Sequence, residues 1–297
     1  MKIENTELNL HLKDSDQRLF EGWYFKIFLA IIVGISKTIE KSCAFIQTLD
    51  TYTNQSQMIE YSLDDFQWGK DPFYIRIKNN FFTKEQIILD LDNGLVDIQG
   101  NLKNSQYTKL ETTCYAPTIM GPFHYLPFLE CNHAIISLRH HITGSLKVNN
   151  QKFQIIGDGY IEKDWGRSFP QDYLWLQSNS CKEKASLFLS IAKIPLLACS
   201  FQGLIMNLLV DDQQIRVATY YGARVKDMFT REGYHYLIIS QHPHTFYLKI
   251  KAGHRFELKS PQSGKMNGYV EESLNALAVL LVYKKNKKVA KFNFINC

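Results

Sequence analysis

The sequence predicts an all-β protein, because three observations favour strands over helices. Aromatic residues make up 13% of the chain, and aromatic side chains suit the pleated surface of a sheet. Turn signals such as Asp92-Asn93-Gly94 and Ser263-Gly264-Lys265 recur at short intervals, and helical patterns are scarce. Many short strands at such spacing are typical of β-sandwiches and β-barrels.

Apolar and aromatic runs between the turns define the predicted strands. One run stays ambiguous: Val270–Tyr283 fits a helix, but its alternating apolar residues also fit a strand, and periodicity does not decide between them. The other predicted strands are Gly22–Ser36, Cys43–Tyr52, Phe73–Lys78, Gln86–Asp90, Val96–Leu102, His133–His141, Lys152–Ile156, Tyr173–Gln177, Ser186–Ala192, Ile215–Tyr221, Tyr234–Ser240, Thr245–Ile250 and Phe256–Leu258.

The length of the chain favours two domains. A chain of 297 residues exceeds what one hydrophobic core usually holds. We place the boundary at Phe169-Pro170, where a dense motif ends at a proline. This predicts an N-terminal domain at 1–170 and a C-terminal domain at 171–297.

Composition argues against several classes of protein. A net charge of +5 is mild for a nucleic-acid binder. The densest basic run, Lys284–Lys288, is either a solvated turn or a contact for phosphate or anionic lipid. Ile27–Ile35 is too short to span a bilayer, and Ile194–Val210 carries polar residues and a proline. Met1–His11 has no apolar signal core, so we expect a soluble, cytoplasmic protein with reduced cysteines.

The segment Gly157–Pro170 stands apart because acidic and aromatic residues are dense there. Side chains of an extended chain alternate between faces, so Tyr160, Glu162 and Asp164 share one face. The two carboxylates then lie about 7 Å apart. Beside an apolar cavity, desolvation and repulsion keep one of them protonated, which is the state that a general acid requires. Beside water they are ordinary surface charges, and Trp165 packs in the core.

Two other interpretations of the motifs fail. The glycines at 157 and 159 lack the third glycine of a dinucleotide-binding loop, because Glu162 occupies that position, and no helical pattern follows. Histidines cluster at 124, 133, 140 and 141, but no zinc-binding spacing occurs, and neighbouring strand residues point to opposite faces. The sequence therefore predicts neither a nucleotide cofactor nor a metal site.

Two further stretches mix polar groups with bulky apolar side chains. In Gly121–His133, Glu130 and Asn132 share one face if the chain is extended. This stretch is either a loop that packs its own aromatics or one wall of a ligand pocket. In Phe20–Lys26, a glutamate lies on the same face as Trp23, which is either a core residue or part of a site.

These motifs resemble the tocopherol cyclase family, in order and over nearly the whole chain. The most specific is Glu162-Lys163-Asp164-Trp165-Gly166. The segments that carry the resemblance are Phe20-Glu21-Gly22-Trp23-Tyr24-Phe25-Lys26, Gly121-Pro122-Phe123 with Glu130-Cys131-Asn132-His133, Gly159–Pro170, Trp175-Leu176-Gln177-Ser178-Asn179, and Gly264-Lys265-Met266 with Glu272-Ser273-Leu274.

The resemblance implies two lipocalin-like antiparallel β-barrel domains, with a ligand site at or near their junction. It also implies a reaction. Members of the family protonate an alkene in a prenyl tail, and a phenol oxygen then adds to the tertiary cation to close a chromanol ring. Related carotenoid hydratases add water instead, and their matching motif has Asp and Glu in swapped order, which favours Glu162 as the proton donor. Neither reaction needs a redox cofactor or a metal.

Residue chemistry and resemblance together predict a site. Glu162 and Asp164 are the predicted catalytic acid and cation stabiliser. The predicted substrate-binding residues are Glu21, Trp23, His124, Glu130, Asn132, Tyr160, Trp165, Trp175 and Gln177. The expected partner is an apolar, isoprenoid-like small molecule, with no nucleic acid and at most peripheral membrane contact. An enzyme is favoured over the alternative, a lipocalin-like carrier that leaves its ligand unchanged.

Overall fold

The computed structural model describes residues 9–13, 17–52, 54–127, 129–196 and 199–297. Regular structure in these residues is nearly all antiparallel β-strand, which confirms the predicted all-β class. Three short 3-10 helices interrupt the strands within the described ranges, at Leu63–Asp65, Gly121–Tyr125 and Thr219–Tyr221. None of the helices in this part of the chain is long and apolar enough to cross a membrane.

The strands that precede residue 170 form a single sheet. They are β1 (Leu19–Lys26), β2 (Ala30–Lys37), β3 (Ser42–Asp50), β4 (Gln55–Tyr61), β5 (Phe66–Lys70), β6 (Phe73–Ile77), β7 (Asn80–Thr83), β8 (Gln86–Asp92), β9 (Asp97–Thr108), β10 (Cys131–Val148) and β11 (Gln151–Gly166). Their spatial order is β4-β3-β2-β1-β11-β10-β9-β8-β7-β6-β5. This large, nearly closed sheet is consistent with the lipocalin-like barrels that the resemblance implies.

The later strands form smaller sheets. They are β12 (Tyr173–Ser178), β13 (Ser180–Cys181), β14 (Ala185–Leu196), β15 (Cys199–Val210), β16 (Gln213–Ala218), β17 (Arg224–Arg231), β18 (Tyr234–Gln241), β19 (His244–Lys251), β20 (Phe256–Gln262), β21 (Lys265–Glu272), β22 (Leu277–Lys284) and β23 (Lys287–Ile295). The orders are β12-β14-β15-β16 in one sheet and β13-β23-β22-β19-β18-β17 in another, while β20 and β21 pair with each other.

The chain divides into two compact units. The first unit comprises the described residues of Met1–Thr118, Glu130–Phe169 and Glu257–Val270. The second comprises those of Ile119–Leu129, Pro170–Phe256 and Glu271–Cys297. The units are therefore discontinuous in sequence, and the division into domains at 1–170 and 171–297 stays a prediction.

The first unit encloses one apolar core. Trp23 and Phe25 of β1, Ile31 of β2 and Phe82 of β7 are among its fully buried members. Ile161 of β11 also belongs to this core, so one face of β11 packs against it. The opposite face of β11 points away from the core, and the acidic motif uses both faces.

The second unit has its own core. Both of its larger sheets contribute buried apolar residues, such as Leu189 of β14, Met206 of β15, Phe246 of β19 and Leu280 of β22. The ambiguous segment 270–283 is β-strand, because Ala276, Ala278 and Leu280 alternate into this core. The predicted turn in the basic run is confirmed, since β22 ends at Lys284 and β23 begins at Lys287.

The predicted single strand Gly22–Ser36 is wrong, because the chain reverses within it. Two antiparallel strands, β1 and β2, meet at a tight reversal in which the N–H of Ile27 donates to the carbonyl of Leu29, 2.9 Å away. No glycine, proline or asparagine marks this reversal, so the sequence gives no turn signal there.

Two glycines face each other across β1 and β2, and they differ in the space around them. Gly22 pairs with Gly34. A methyl group on Gly34 would lie 2.9 Å from the Cα of Gly22 and against the carbonyl of Glu21, whereas a methyl group on Gly22 would have only ordinary contacts, from 3.7 Å outward. Only Gly34 is therefore required by the close approach of the two backbones.

Replacing these glycines by alanine gives opposite outcomes. We expect Gly34→Ala to lower the free energy of unfolding by about 1–3 kcal/mol, because the added methyl group overpacks a backbone contact. Gly22→Ala serves as the matched control, and it should change stability by less than about 1 kcal/mol. Urea unfolding followed by circular dichroism measures both. Equal effects of the two substitutions would contradict the packing argument.

Candidate functional site

Strand β11 carries the candidate site and lies in the middle of its sheet. It pairs with β1 on one side and β10 on the other. The register places Glu162 between Tyr24 and Ile135, and Asp164 between Gly22 and His133. The predicted alternation along this strand is confirmed, since Glu162 and Asp164 share the face that points away from the core of the first unit.

His133 links the two predicted catalytic carboxylates. Its Nδ1 lies 2.8 Å from Oδ1 of Asp164, and its Nε2 lies 3.5 Å from Oε2 of Glu162. The hydroxyl of Tyr160 donates a hydrogen bond of 2.6 Å to the same Oε2 of Glu162. The structure therefore brings Glu162, Asp164 and Tyr160 together, and it adds a histidine that the sequence did not predict. We call these four residues the acid cluster.

The acid cluster is largely removed from solvent. Glu162 is 5% exposed and Tyr160 1%, while the side chains of His133 and Asp164 are 12% and 20% exposed. Ile135, next to Glu162 across the ladder, is buried as well. Glu162 is therefore a buried carboxyl and not a surface charge, whereas Asp164 keeps some access to solvent.

Burial and charge together set the protonation of the cluster. Burial on its own would lower the pKa of His133, but the carboxylates of Asp164 and Glu162 outweigh it and raise this pKa to about 9. Burial, followed by the charge of Glu162, raises the pKa of Tyr160 well above its ordinary value. At neutral pH the cluster thus holds an imidazolium and a neutral phenol.

The same groups have the geometry of a potential metal site. Ligand atoms of His133, Glu162 and Asp164 lie within 4.8 Å of one another. A metal ion would have to displace the proton of His133, and the raised pKa of this histidine opposes that displacement. Nδ1 is also engaged by Asp164, which leaves Nε2 for any metal. The donor set therefore fits a shared proton better than a metal ion.

The opposite face of β11 carries a second buried charge pair. Lys163 contacts the carboxylate of Glu21, and both side chains are 0% exposed. The ammonium lies 4.6 Å from the ring centroid of Trp23 and 5.3 Å from that of Trp165. Burial alone would raise the pKa of Glu21, but Lys163 and His11 lower it overall, so Glu21 is ionised.

Backbone groups of residues 9–12 complete the coordination of this pair. The N–H groups of His11 and Leu12 donate to Oε2 of Glu21 at 2.8 and 2.9 Å, and Lys163 donates to the carbonyl of Asn9. The ring of His11 stacks on Trp165 at 4.1 Å. The N-terminal segment is therefore anchored to the face of β11 that lies opposite the acid cluster.

Other motif segments meet at the end of β11. The carbonyl of Glu130 accepts the N–H of Arg167 at 2.7 Å, and the carbonyl of Arg167 accepts the N–H of Gly264 at 2.7 Å. Gly166 has a φ of 149°, and a side chain there would lie 3.1 Å from the Cα of Cys131. These contacts fix the path of the chain directly after Asp164.

The remaining predicted binding residues lie apart from the acid cluster. Glu21, Trp23 and Trp165 belong to the opposite face of β11, as described above. Asn132 donates 3.4 Å to the carbonyl of Trp165, and the side chain of Glu130 is exposed. The others, in the second unit, are His124, Trp175 and Gln177. Their role in substrate binding stays a prediction.

A comparison with protein families supports the resemblance. The sequence model of the tocopherol cyclase-like family matches residues 107–193. This range contains His133 and the whole of the Glu162–Gly166 motif, so the predicted resemblance is confirmed where the acid cluster lies. No curated protein matches the chain.

Solved structures with a similar course of the chain include two proteins of low sequence identity. An AttH-like protein from Nitrosomonas europaea is 7% identical, with a TM-score of 0.49, over 93% of this chain and 90% of that one. Kievitone hydratase from Nectria haematococca is 11% identical, with a TM-score of 0.45, over 97% of this chain and 91% of that one. The family match therefore carries the comparison.

Breaking the buried pair from one side should be costly. We expect Lys163→Met to lower the free energy of unfolding by about 3–5 kcal/mol, because Glu21 keeps a buried charge without its cation. The double variant Glu21→Gln/Lys163→Met should recover part of this loss. Lys265→Met removes an exposed pair with Glu40 and should cost less than about 1 kcal/mol. Urea unfolding compares them, and additive single effects would contradict the pairing.

His133 should titrate far above its ordinary range. Its folded pKa of about 9 exceeds the ordinary 6.5, so the protonated form stabilises the fold. That contribution is complete below pH 6.5 and is lost as the pH rises through about 9. NMR titration of the imidazole measures the pKa, and Asp164→Asn should lower it. A wild-type titration near 6.5 would show that the carboxylates do not act on the ring.

Proposed function

We propose that this protein is an acid–base enzyme that protonates an alkene of an isoprenoid-type molecule and then cyclises or hydrates it. One observation carries the proposal: buried Glu162 receives a hydrogen bond from Tyr160 and lies beside a protonated His133, which Asp164 holds from the other side. A carrier that leaves an apolar ligand unchanged has no use for a buried, ionised cluster of this kind, since charged groups are costly to bury.

The cluster stores a proton and can move it to a stronger acid. In the protein at neutral pH the proton resides on His133, between two carboxylates. An apolar substrate that displaces water makes separated charges less favourable, and it shifts the proton from Nε2 of His133 to Oε2 of Glu162. The products of this shift, a neutral imidazole and a carboxylic acid, suit a dry site, and the carboxylic acid is the stronger proton donor.

The reaction then follows from proton transfer alone. Glu162 gives its proton to one alkene carbon, and positive charge develops on the more substituted neighbour. The carboxylates of Glu162 and Asp164 and the ring of Tyr160 stabilise this cation. A phenol oxygen of the same substrate, or a water molecule, forms the new C–O bond and releases its proton to the cluster. The cyclisation is thus an isomerisation, and the hydration adds one water.

Asp164 and Tyr160 act through position as well as charge. Asp164 accepts from Nδ1 of His133, so Nε2 is the atom that exchanges a proton with Glu162. Tyr160 stays neutral and donates to Glu162, which fixes the rotamer of that carboxyl. Strand alternation alone places Tyr160, Glu162 and Asp164 on this face, without any loop.

The proposal predicts that Glu162→Gln lowers turnover by about 10²–10⁴-fold, since a general acid is lost while the shape of the side chain is kept. The probe is a geranylgeranyl-substituted methylbenzoquinol in heavy water. Mass spectrometry should show one carbon-bound deuterium in each product molecule. Glu85→Gln makes the same chemical change at an exposed residue of the first unit and should react like the wild type.

Two results would count against an enzyme of this kind. Normal turnover by a folded Glu162→Gln variant would remove Glu162 from the proton-transfer step. Native mass spectrometry of the wild type after long incubation could instead show the quinol bound and unaltered, without deuterium, which would support a carrier. Circular dichroism of each variant establishes that the fold is retained.

A further inference from the structure

A cavity lies within the second unit, apart from the residues of the acid cluster. Its volume is about 860 Å³, within the range of sites that enclose small molecules. Residues of β12, β14 and β15 line one side, and residues of β17, β18 and β19 line the other. The cavity therefore opens between the two larger sheets of this unit.

The deep part of the cavity is apolar. Ile191 of β14, Leu237 of β18 and Ile250 of β19 line it, and all three are buried members of the core of the second unit. Ala192 contributes only a methyl group at a position where neighbouring strands carry larger side chains. This wall offers dispersion contacts and no ionic group, which suits a hydrocarbon or aromatic body.

Large apolar side chains at the rim remain open to solvent. Tyr173 is 38% exposed, Met228 50% and Phe229 42%, and all three line the cavity. Phe229 is held in place by a stack on Tyr236, with ring centroids 5.0 Å apart. Exposed apolar side chains that converge on one opening mark a binding site more often than a bare surface.

The charges at the rim indicate an uncharged ligand. Asp172 and Lys193 both line the cavity, and the N–H of Lys193 donates to the carbonyl of Asp172 at 3.1 Å, so their opposite charges lie on adjoining strands. Thr230 and His235, which lie 2.9 Å apart, add neutral hydrogen-bonding groups. A rim without a formal excess of either sign has no preference for an ionic head group.

We propose that this cavity is a second binding site, which takes a neutral, largely apolar molecule with one or a few hydroxyl or carbonyl groups. The apolar body lies against the deep wall, and Met228 and Phe229 cover it at the mouth. The site uses no residue of the acid cluster, so it operates whether or not Glu162 is catalytic.

Fluorescence titration with the neutral dye Nile red tests the proposal on the full chain. Met228→Asp places an unpaired charge at the apolar mouth, and we expect it to weaken dye binding by about tenfold or more. Val289→Asp is the matched control, because Val289 is 55% exposed in the same unit and does not line the cavity. It should bind the dye like the wild type, and so should Glu162→Gln.

Further measurements fix the location and the ligand class. Thr230→Trp, at an exposed rim position, should narrow the mouth and weaken binding without disturbing the core. Geranylgeraniol should displace the dye more effectively than palmitate. The proposal is overturned by a wild type that does not bind the dye, by equal binding in Met228→Asp and Val289→Asp, or by stronger competition from palmitate. Loss of binding only in Glu162→Gln would assign the dye to the acid cluster.

Discussion

The buried contact between Lys163 and Glu21 is the constraint on which the arrangement of β11 depends. A one-residue slip in the register of a strand exchanges its two faces. Such a slip would turn Glu162 and Asp164 into the apolar core of the first unit and would expose Lys163 on the opposite side. Because Lys163 finds Glu21 and two indole rings only in the observed register, the alternative leaves several buried charges without partners.

A buried ion pair is weak evidence for stability in itself, since removing both ions from water costs about as much as their attraction returns. Its value here is specificity. The pair is completed by backbone groups of His11 and Leu12, so it also places the N-terminal segment. On the other side of the same strand, His133 neutralises one of two carboxylates. One strand thus carries two charge clusters that do not share a face, and the fold keeps them apart by alternation alone.

Local pattern sufficed to predict what depends on one strand, and it failed where several strands meet. Strand alternation correctly placed Tyr160, Glu162 and Asp164 together. The role of His133 depends on the pairing of β10 with β11, and this ladder shifts register on both sides of Ser137. No local signal reveals such bulges, because they follow from packing between strands. The motif that ends at His133 was visible, but its partner was not.

The position of the proton on His133 decides what the acid cluster can do. An imidazolium with a pKa of about 9 is too weak an acid to protonate an alkene, and the carboxylates that raise this pKa are the groups that stabilise a carbocation. Both requirements are met only if the proton moves to Glu162 when water leaves. Separated charges lose their solvation in a dry site, whereas a neutral imidazole and a carboxylic acid do not. Binding of an apolar molecule therefore creates the acid, and in its absence the cluster remains a stable, solvated ion triad with its proton stored on nitrogen.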